Sequence, residues 1–254
     1  MNYSNPPKES PEHVTHKTFH SNLLNHEIGY NIYLPPDYET SGKRYPVAYH
    51  LHGYTGNESS EIWALAEAYR SREAITVFMN VISSEEAYLD AVLQIESILI
   101  NELIPHIEEQ FRTCGDRSIS GFSMGGAMAF YYAVKHPELF GLVTGYAGTF
   151  HHLFHKDYHG VGEPVEKSAG FYETMIQEKK YLDEDGILYL IRKNAEKVRG
   201  KLRIHLHIGT DDVLICDNEI MRMDLSALDI PHEYKVFEGA GHELSKILQK
   251  KGGY

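Results

Sequence analysis

The stretch Ser118-Ile119-Ser120-Gly121-Phe122-Ser123-Met124-Gly125-Gly126-Ala127 decides how the rest of the chain is read. A short β-branched run meets Gly-x-Ser-x-Gly and passes into the helix-prone segment Ala127 to His136, which Pro137 closes. In such a strand–turn–helix setting a serine sits on a tight elbow at the end of a strand. The turn forces Ser123 into a strained backbone conformation, and Gly121 and Gly125 supply flanks without side-chain bulk. The helix that starts behind the hydroxyl points its first amides at any negative charge developing there. Gly-x-Ser-x-Gly also arises by chance, so a nucleophilic role requires a histidine, an acid and oxyanion donors elsewhere in the chain.

Composition narrows the setting. The 254 residues are 42% hydrophobic and 24% charged, as expected of a globular protein with a sizeable core. A net charge of −12 without a basic run argues against nucleic acid or an anionic membrane as partner. No stretch approaches the roughly 18 apolar residues of a membrane span. The N-terminus, Met1 to Lys8, is polar and lacks an apolar signal core, which reads as a flexible leader on a cytoplasmic chain. Two cysteines, Cys114 and Cys216, make no disulfide framework and read as reduced thiols.

Outward from the elbow the pattern alternates strand and helix. Val14 to Tyr38 reads as a hairpin, with Ile28, Tyr30, Ile32 and Leu34 at period two, which implies one wet face and a place at the sheet edge. Pro46 to Gly53 is a buried strand running into the glycine-rich loop Gly53-Tyr54-Thr55-Gly56-Asn57-Glu58, and a helix follows through Trp63, Leu65 and Tyr69. Ala74 to Val81 is a strand, and Ala91 to Phe111 a long helix that Pro105 should kink or restart. Strands at Gly141–Gly145, Lys201–Ile208 and Pro231–Phe237 complete the series, with a helix near Asn218–Leu228. The insertion at about 150–200, rich in His, Tyr and charge, suits a lid or cap on a single domain spanning 1–254. The expected architecture is a mostly parallel, doubly wound sheet with helices on both faces, binding its ligand beyond the carboxyl ends of the strands.

Ser123, Asp212, His242 and the Tyr54 loop all fall at those ends. A serine hydroxyl needs a base, and His242 lies in the glycine-flanked loop after the last strand. Asp211 and Asp212 compete as the acid that orients the imidazole, with Asp217 behind them, and Asp212 is preferred. The backbone N–H of Met124 is one oxyanion donor, and that of Tyr54 is expected as the second. Tyr54, Trp63 and Phe150 are candidates for the substrate pocket, with Phe154, Tyr158, Phe171 and Tyr172 near the presumed cleft. His151, His152 and His155 on one side, and His205 and His207 along a strand, invite a metal reading. Neither group closes a three- or four-ligand set in sequence, so no metal is assigned.

With these residues in place the chain resembles the esterase D-like family of α/β-hydrolases, which includes feruloyl and acetyl-xylan esterases, S-formylglutathione hydrolases, siderophore esterases and mycolyltransferases. The resemblance rests on His50 to Glu58, Asn101 to Ile107, Gly121 to Gly126, Gly209 to Asp212 and Gly241-His242, and covers most of Tyr30 to His242. It implies an α/β-hydrolase fold with Ser123 as nucleophile, Asp212 as acid and His242 as base. It also implies an acyl-enzyme mechanism without a cofactor. The expected partner is a small-molecule ester with a small or medium acyl group, acylated carbohydrates included. An acyltransferase using the same three residues, a siderophore or thioester hydrolase, and a silent hydrolase fold used for binding are the alternatives. Glu243-Leu244-Ser245 after the histidine and the short stretch after Asn80 depart from the plant-wall members, and the loop typical of formylglutathione hydrolases is absent.

Overall fold

The computed structural model describes residues 3–81, 88–151, 159–179, 184 and 186–250. The chain divides into two compact units, 1–118 and 119–253. In the first, strands β1 (Val14–Ser21) and β2 (His26–Tyr33) are followed by helix α1 (Tyr38–Ser41), strand β3 (Tyr45–Leu51), helix α2 (Ala66–Arg70) and strand β4 (Ile75–Met79). Helices α3 (Tyr88–Ile98) and α4 (Ile104–Gln110) then lead into strand β5 (Thr113–Phe122), which runs on into the second unit. That unit continues with helix α5 (Met124–Lys135), strand β6 (Leu142–Tyr146), helices α6 (Ser168–Gln177) and α7 (Ile187–Val198) and strand β7 (Arg203–Gly209). Helix α8 (Ile215–Ala227), strand β8 (Glu233–Phe237) and helix α9 (Leu244–Lys250) close it. The strands form a mostly parallel eight-stranded sheet in the order β1-β2-β4-β3-β5-β6-β7-β8.

Within the first unit, β1 pairs antiparallel with β2 and β2 antiparallel with β4, whereas β3 and β4 are parallel. The hairpin is therefore as expected, but its wet face is not. From Ile28 to Tyr33 every residue of β2 is buried, because the strand lies inside the sheet and its polar residue finds partners. Asn31 donates to the Glu58 carbonyl and the Ser59 hydroxyl, both at 2.9 Å. The leader is also docked rather than loose: the Gly29 N–H donates to the Tyr3 carbonyl at 2.7 Å, and the Asn5 backbone and side-chain amides both donate to the buried Glu58 carboxylate. β4 is buried at every position, matching its mostly apolar run, in which Thr76 is the one polar residue.

One helix differs from expectation, and another breaks next to Pro105 as expected. The segment through Trp63 forms turns and only the short α2. The long helix around Pro105 is broken by a π-helical turn at Leu99–Leu103, where the Ile104 N–H donates to the Leu99 carbonyl. Pro105 has no N–H to offer the Asn101 carbonyl and its ring crowds that carbonyl, so the ladder widens just before it.

In the second unit β6, β7 and β8 are parallel neighbours. α5 is buried from Met124 to Val134. α7 packs on α5, and its Asn194 amide donates to the Val134 carbonyl at 3.1 Å, satisfying a group that the end of α5 leaves open. Ile187, Leu188, Leu190, Ile191, Ala195 and Val198 form its buried stripe. Helix α7, which lies within the stretch expected to form a cap, is thus part of the helical layer. No helix among the described residues is long and apolar enough to cross a membrane.

Candidate active site

Ser123 caps the N-terminus of α5 at φ 55°, ψ −119°, the strained elbow conformation expected for it. Gly121 is what makes the turn sterically open: a Cβ there would lie 2.2 Å from the backbone carbon and oxygen of Gly125. The elbow is tied down through its own main chain. The Ser123 N–H donates to the Tyr146 carbonyl at 2.8 Å, and the Ser123 carbonyl accepts from Ala127 at 3.1 Å. Met124, the next residue, opens α5, so its N–H belongs to the first turn, whose amides have no intrahelical acceptor.

His242 arrives from the loop between β8 and α9. Its Nε2 lies 2.9 Å from the Ser123 hydroxyl oxygen, and its Nδ1 lies 3.0 and 2.9 Å from the two carboxylate oxygens of Asp212. The partners fix the tautomer: a carboxylate only accepts, so Nδ1 carries the proton and Nε2 is left to accept from the serine. The Phe122 ring covers the imidazole at 4.7 Å between centroids. Asp212 is wholly buried at its side chain and accepts a further hydrogen bond from the Leu214 N–H at 2.9 Å, whereas His242 is about a third exposed.

The close approach of two chain segments selects Asp212 over Asp211. A Cβ on Gly209 would lie 1.9 Å from the Ala240 carbonyl oxygen, so only glycine lets the end of β7 meet the loop that carries His242. The Asp211 N–H donates to that same carbonyl at 3.0 Å. Asp211 itself is exposed and accepts from the Thr210 hydroxyl at 2.9 Å, a turn contact. Asp217 serves another histidine. Its carboxylate accepts from the His151 backbone N–H at 2.9 Å and from His151 Nδ1 at 2.6 Å, with both side chains fully buried. This second His–Asp pair had no signature in the sequence.

The other expected site residues are placed as follows. Tyr54 is exposed, at the tip of a loop in the first unit that is braced from below. There Gly53 N–H donates to Glu61 at 3.1 Å, and Glu61 also holds His50. His52 donates through Nδ1 to the Gly53 carbonyl at 2.7 Å and accepts the Val81 N–H at 2.9 Å through Nε2. Burial pushes the His52 pKa down, in keeping with the neutral ring these two bonds require. The brace from Glu61 was not foreseen, since nothing in its spacing marks it. Trp63 is exposed. Phe150 is fully buried, its ring 5.3 Å from that of Phe130 and pressed against the backbone at Gly148, which makes it a core residue. Tyr172 points its hydroxyl at Asp224. His152, Phe154, His155 and Tyr158 lie outside the described residues.

A serine on a strained strand-to-helix elbow, a histidine beyond the last strand and a buried aspartate beyond the strand before it are thus brought together on an α/β-hydrolase fold. The chain belongs to the Putative esterase family, whose model matches residues 21–246. It is 28% identical over 155 residues to an esterase of Mycobacterium tuberculosis, covering 55% of this chain and 33% of that protein. It is 32% identical over 133 residues to an endo-1,4-beta-xylanase/feruloyl esterase of Xylanibacter ruminicola, covering 44% of this chain and 18% of that one. The matches thus span a third or less of the length of these curated relatives. Among solved structures it resembles a ferulic acid esterase at TM-score 0.71 and 24% identity, covering 93% of both chains. It also resembles the S-formylglutathione hydrolase of Staphylococcus aureus at TM-score 0.70 and 18% identity, covering 94% of this chain and 96% of that one.

Proposed function

We propose that Ser123, His242 and Asp212 are the catalytic triad of a serine carboxylesterase acting on small to medium acyl esters, with acyl groups on carbohydrates, feruloyl or acetyl, as the natural class. The observation that carries this reading is the 2.9 Å contact between His242 Nε2 and the Ser123 hydroxyl, with Asp212 on the far side of the ring. The feruloyl esterase relative and the ferulic acid esterase neighbour support the substrate class.

In this mechanism Ser123 attacks the ester carbonyl while its proton passes to His242 Nε2. Asp212 holds the ring and balances the imidazolium. The oxyanion takes the Met124 N–H as one donor, and the Tyr54 N–H is proposed as the second. His242 then protonates the departing alkoxide, leaving an acyl-serine. Water attacks that ester with His242 again as base, releasing the acid and restoring the hydroxyl.

The test is a p-nitrophenyl ester chain-length series run beside methyl ferulate and acetylated xylan, with Ser123→Ala as control. Loss of turnover on the order of 10⁶ in the control is expected. Full activity of that variant refutes the assignment of the nucleophile. Preference for S-formylglutathione over all oxygen esters would favour the thioesterase reading that the S-formylglutathione hydrolase neighbour supports. Products formed with an added alcohol would mark an acyltransferase.

A further inference from the structure

We propose that His205, His207 and Glu233 form a binding site for a divalent transition-metal cation, zinc being the reference case, on the β7–β8 edge of the second unit. The site is distinct from the Ser123 array and does not rest on the proposed esterase activity.

Local geometry brings the three together. His205-Leu206-His207 lies within β7, so the two imidazoles project from one face. Their rings are 6.1 Å apart and within 13° of parallel. In the parallel register with β8, His205 stands directly opposite Glu233, which adds a carboxylate to the same face. One nitrogen from each histidine and one oxygen from the glutamate all lie within 4.8 Å of one another. His207 Nε2 and Glu233 Oε1 are already 3.0 Å apart. Metal–ligand bonds of 2.0–2.2 Å in a tetrahedron set ligand atoms about 3.4 Å apart, so that pair needs only slight opening and His205 only a rotation inward.

The chemistry of the donors also fits. Two imidazoles and one carboxylate suit zinc and its neighbours better than calcium or magnesium, which favour oxygen ligands. Glu233 supplies the anionic oxygen: its carboxylate lies within hydrogen-bond reach of His207 and Lys235 and faces the two imidazoles. His207 is buried between the rings of Tyr146 and Phe237, at 5.4 and 5.6 Å, which fixes its orientation. His205 and Glu233 are partly exposed and give the ion a way in. Lys235 is the competitor. Its ammonium sits 2.9 Å from the other glutamate oxygen, Oε2, so it leaves Oε1 to the ion but opposes it by charge. With three protein ligands the fourth position is open to water. Bound there, the ion would pin β8, the strand at the edge of the sheet, to β7.

The test is calorimetric titration of the chelator-stripped chain with zinc, repeated with cobalt to read the visible absorption of its coordination sphere. One saturable equivalent is expected, with the intense bands of a four-coordinate cobalt site and a rise in Tm. His205→Ala and Glu233→Gln, both at partly exposed positions, should each weaken binding about tenfold or more while far-ultraviolet dichroism stays unchanged. Lys235→Ala should tighten it, an outcome that a merely structural ion pair does not give. His20→Ala, on β1, should leave it unchanged. Absence of saturable binding, or wild-type affinity in the His205 and Glu233 variants, overturns the proposal.

Discussion

Replacing Asp212 by Asn exchanges one carboxylate oxygen for an amide nitrogen, and the surroundings decide which. The Leu214 N–H, 2.9 Å from Oδ1, can only donate, so the amide oxygen must take that position. The NH₂ group then stands where Oδ2 stood, 2.9 Å from His242 Nδ1. Two N–H donors cannot share that gap. The imidazole adopts the other tautomer, Nδ1 bare and Nε2 protonated, and Nε2 no longer accepts the proton of Ser123. The substitution also removes the buried charge that balances the imidazolium as it forms, where the surrounding dielectric is low. Both effects act in the same direction. A wrong tautomer in such an array lowers kcat by about 10⁴. That corresponds to about 5 kcal/mol in the barrier at 1.36 kcal/mol per tenfold.

The assay is steady-state and stopped-flow hydrolysis of p-nitrophenyl acetate at neutral pH, alongside Tm and a phosphonylating probe of Ser123. Turnover should fall by about four orders of magnitude and probe labelling should slow with it, because both need the serine proton removed. Asp211→Asn should leave both rates near wild type, since its exposed carboxylate meets the Thr210 hydroxyl rather than the imidazole. A folded Asp212→Asn protein with kcat within about tenfold of wild type would refute the tautomer argument. Greater damage from Asp211→Asn would show that the acid is the other residue.

Gly121→Ala drives a methyl group into the Gly125 backbone, which has no side chain to swing aside. The expected loss is about 3 kcal/mol or more of stability in chemical denaturation, and unchanged stability would contradict the tight elbow. Asp217→Ala strips two hydrogen bonds from buried His151, and a destabilisation of about 3–5 kcal/mol in urea melts is expected. His52 and His106 are both held neutral by burial, so their folded pKa values lie below the unfolded value near 6.5. Their contribution to stability is complete above that value and is lost as the pH falls through the folded values; His52→Gln should flatten the acid limb of a Tm-versus-pH curve. Tyr30, whose hydroxyl bonds His106 Nε2 at 3.0 Å, has its pKa pushed up to about 12 by burial. Stability should therefore decline as pH rises from 10 through 12, and Tyr30→Phe should lessen that decline.

What the sequence made legible follows from how local each signal is. The elbow is written in five consecutive residues, because the steric demand at Gly121 comes from Gly125, four positions on. The order of serine, acid and histidine is readable for a similar reason: each stands just beyond a strand, and strands show in alternating or unbroken apolar runs. The choice between Asp211 and Asp212 is half-local. Adjacent residues leaving a strand face opposite ways, so one of them must turn from the histidine, but the contact that decides which lies between Gly209 and Ala240, across a helix and a strand.

Features set by distant partners left no trace in the sequence pattern. Asn5 and Glu58, 53 residues apart, turn an apparently loose leader into a docked one. His151 finds Asp217 66 positions away, which removes that carboxylate from the contest for His242. His205 and His207 announce a shared face by their own spacing, yet the carboxylate beside them is set by the register of β8 against β7. A shift of one residue in that register would turn Glu233 to the opposite face. Chemistry built across strands therefore has to be sought in pairing, and that built along a turn can be sought in spacing. The Ser123 elbow belongs to the second kind, and the His205–His207–Glu233 cluster joins the two.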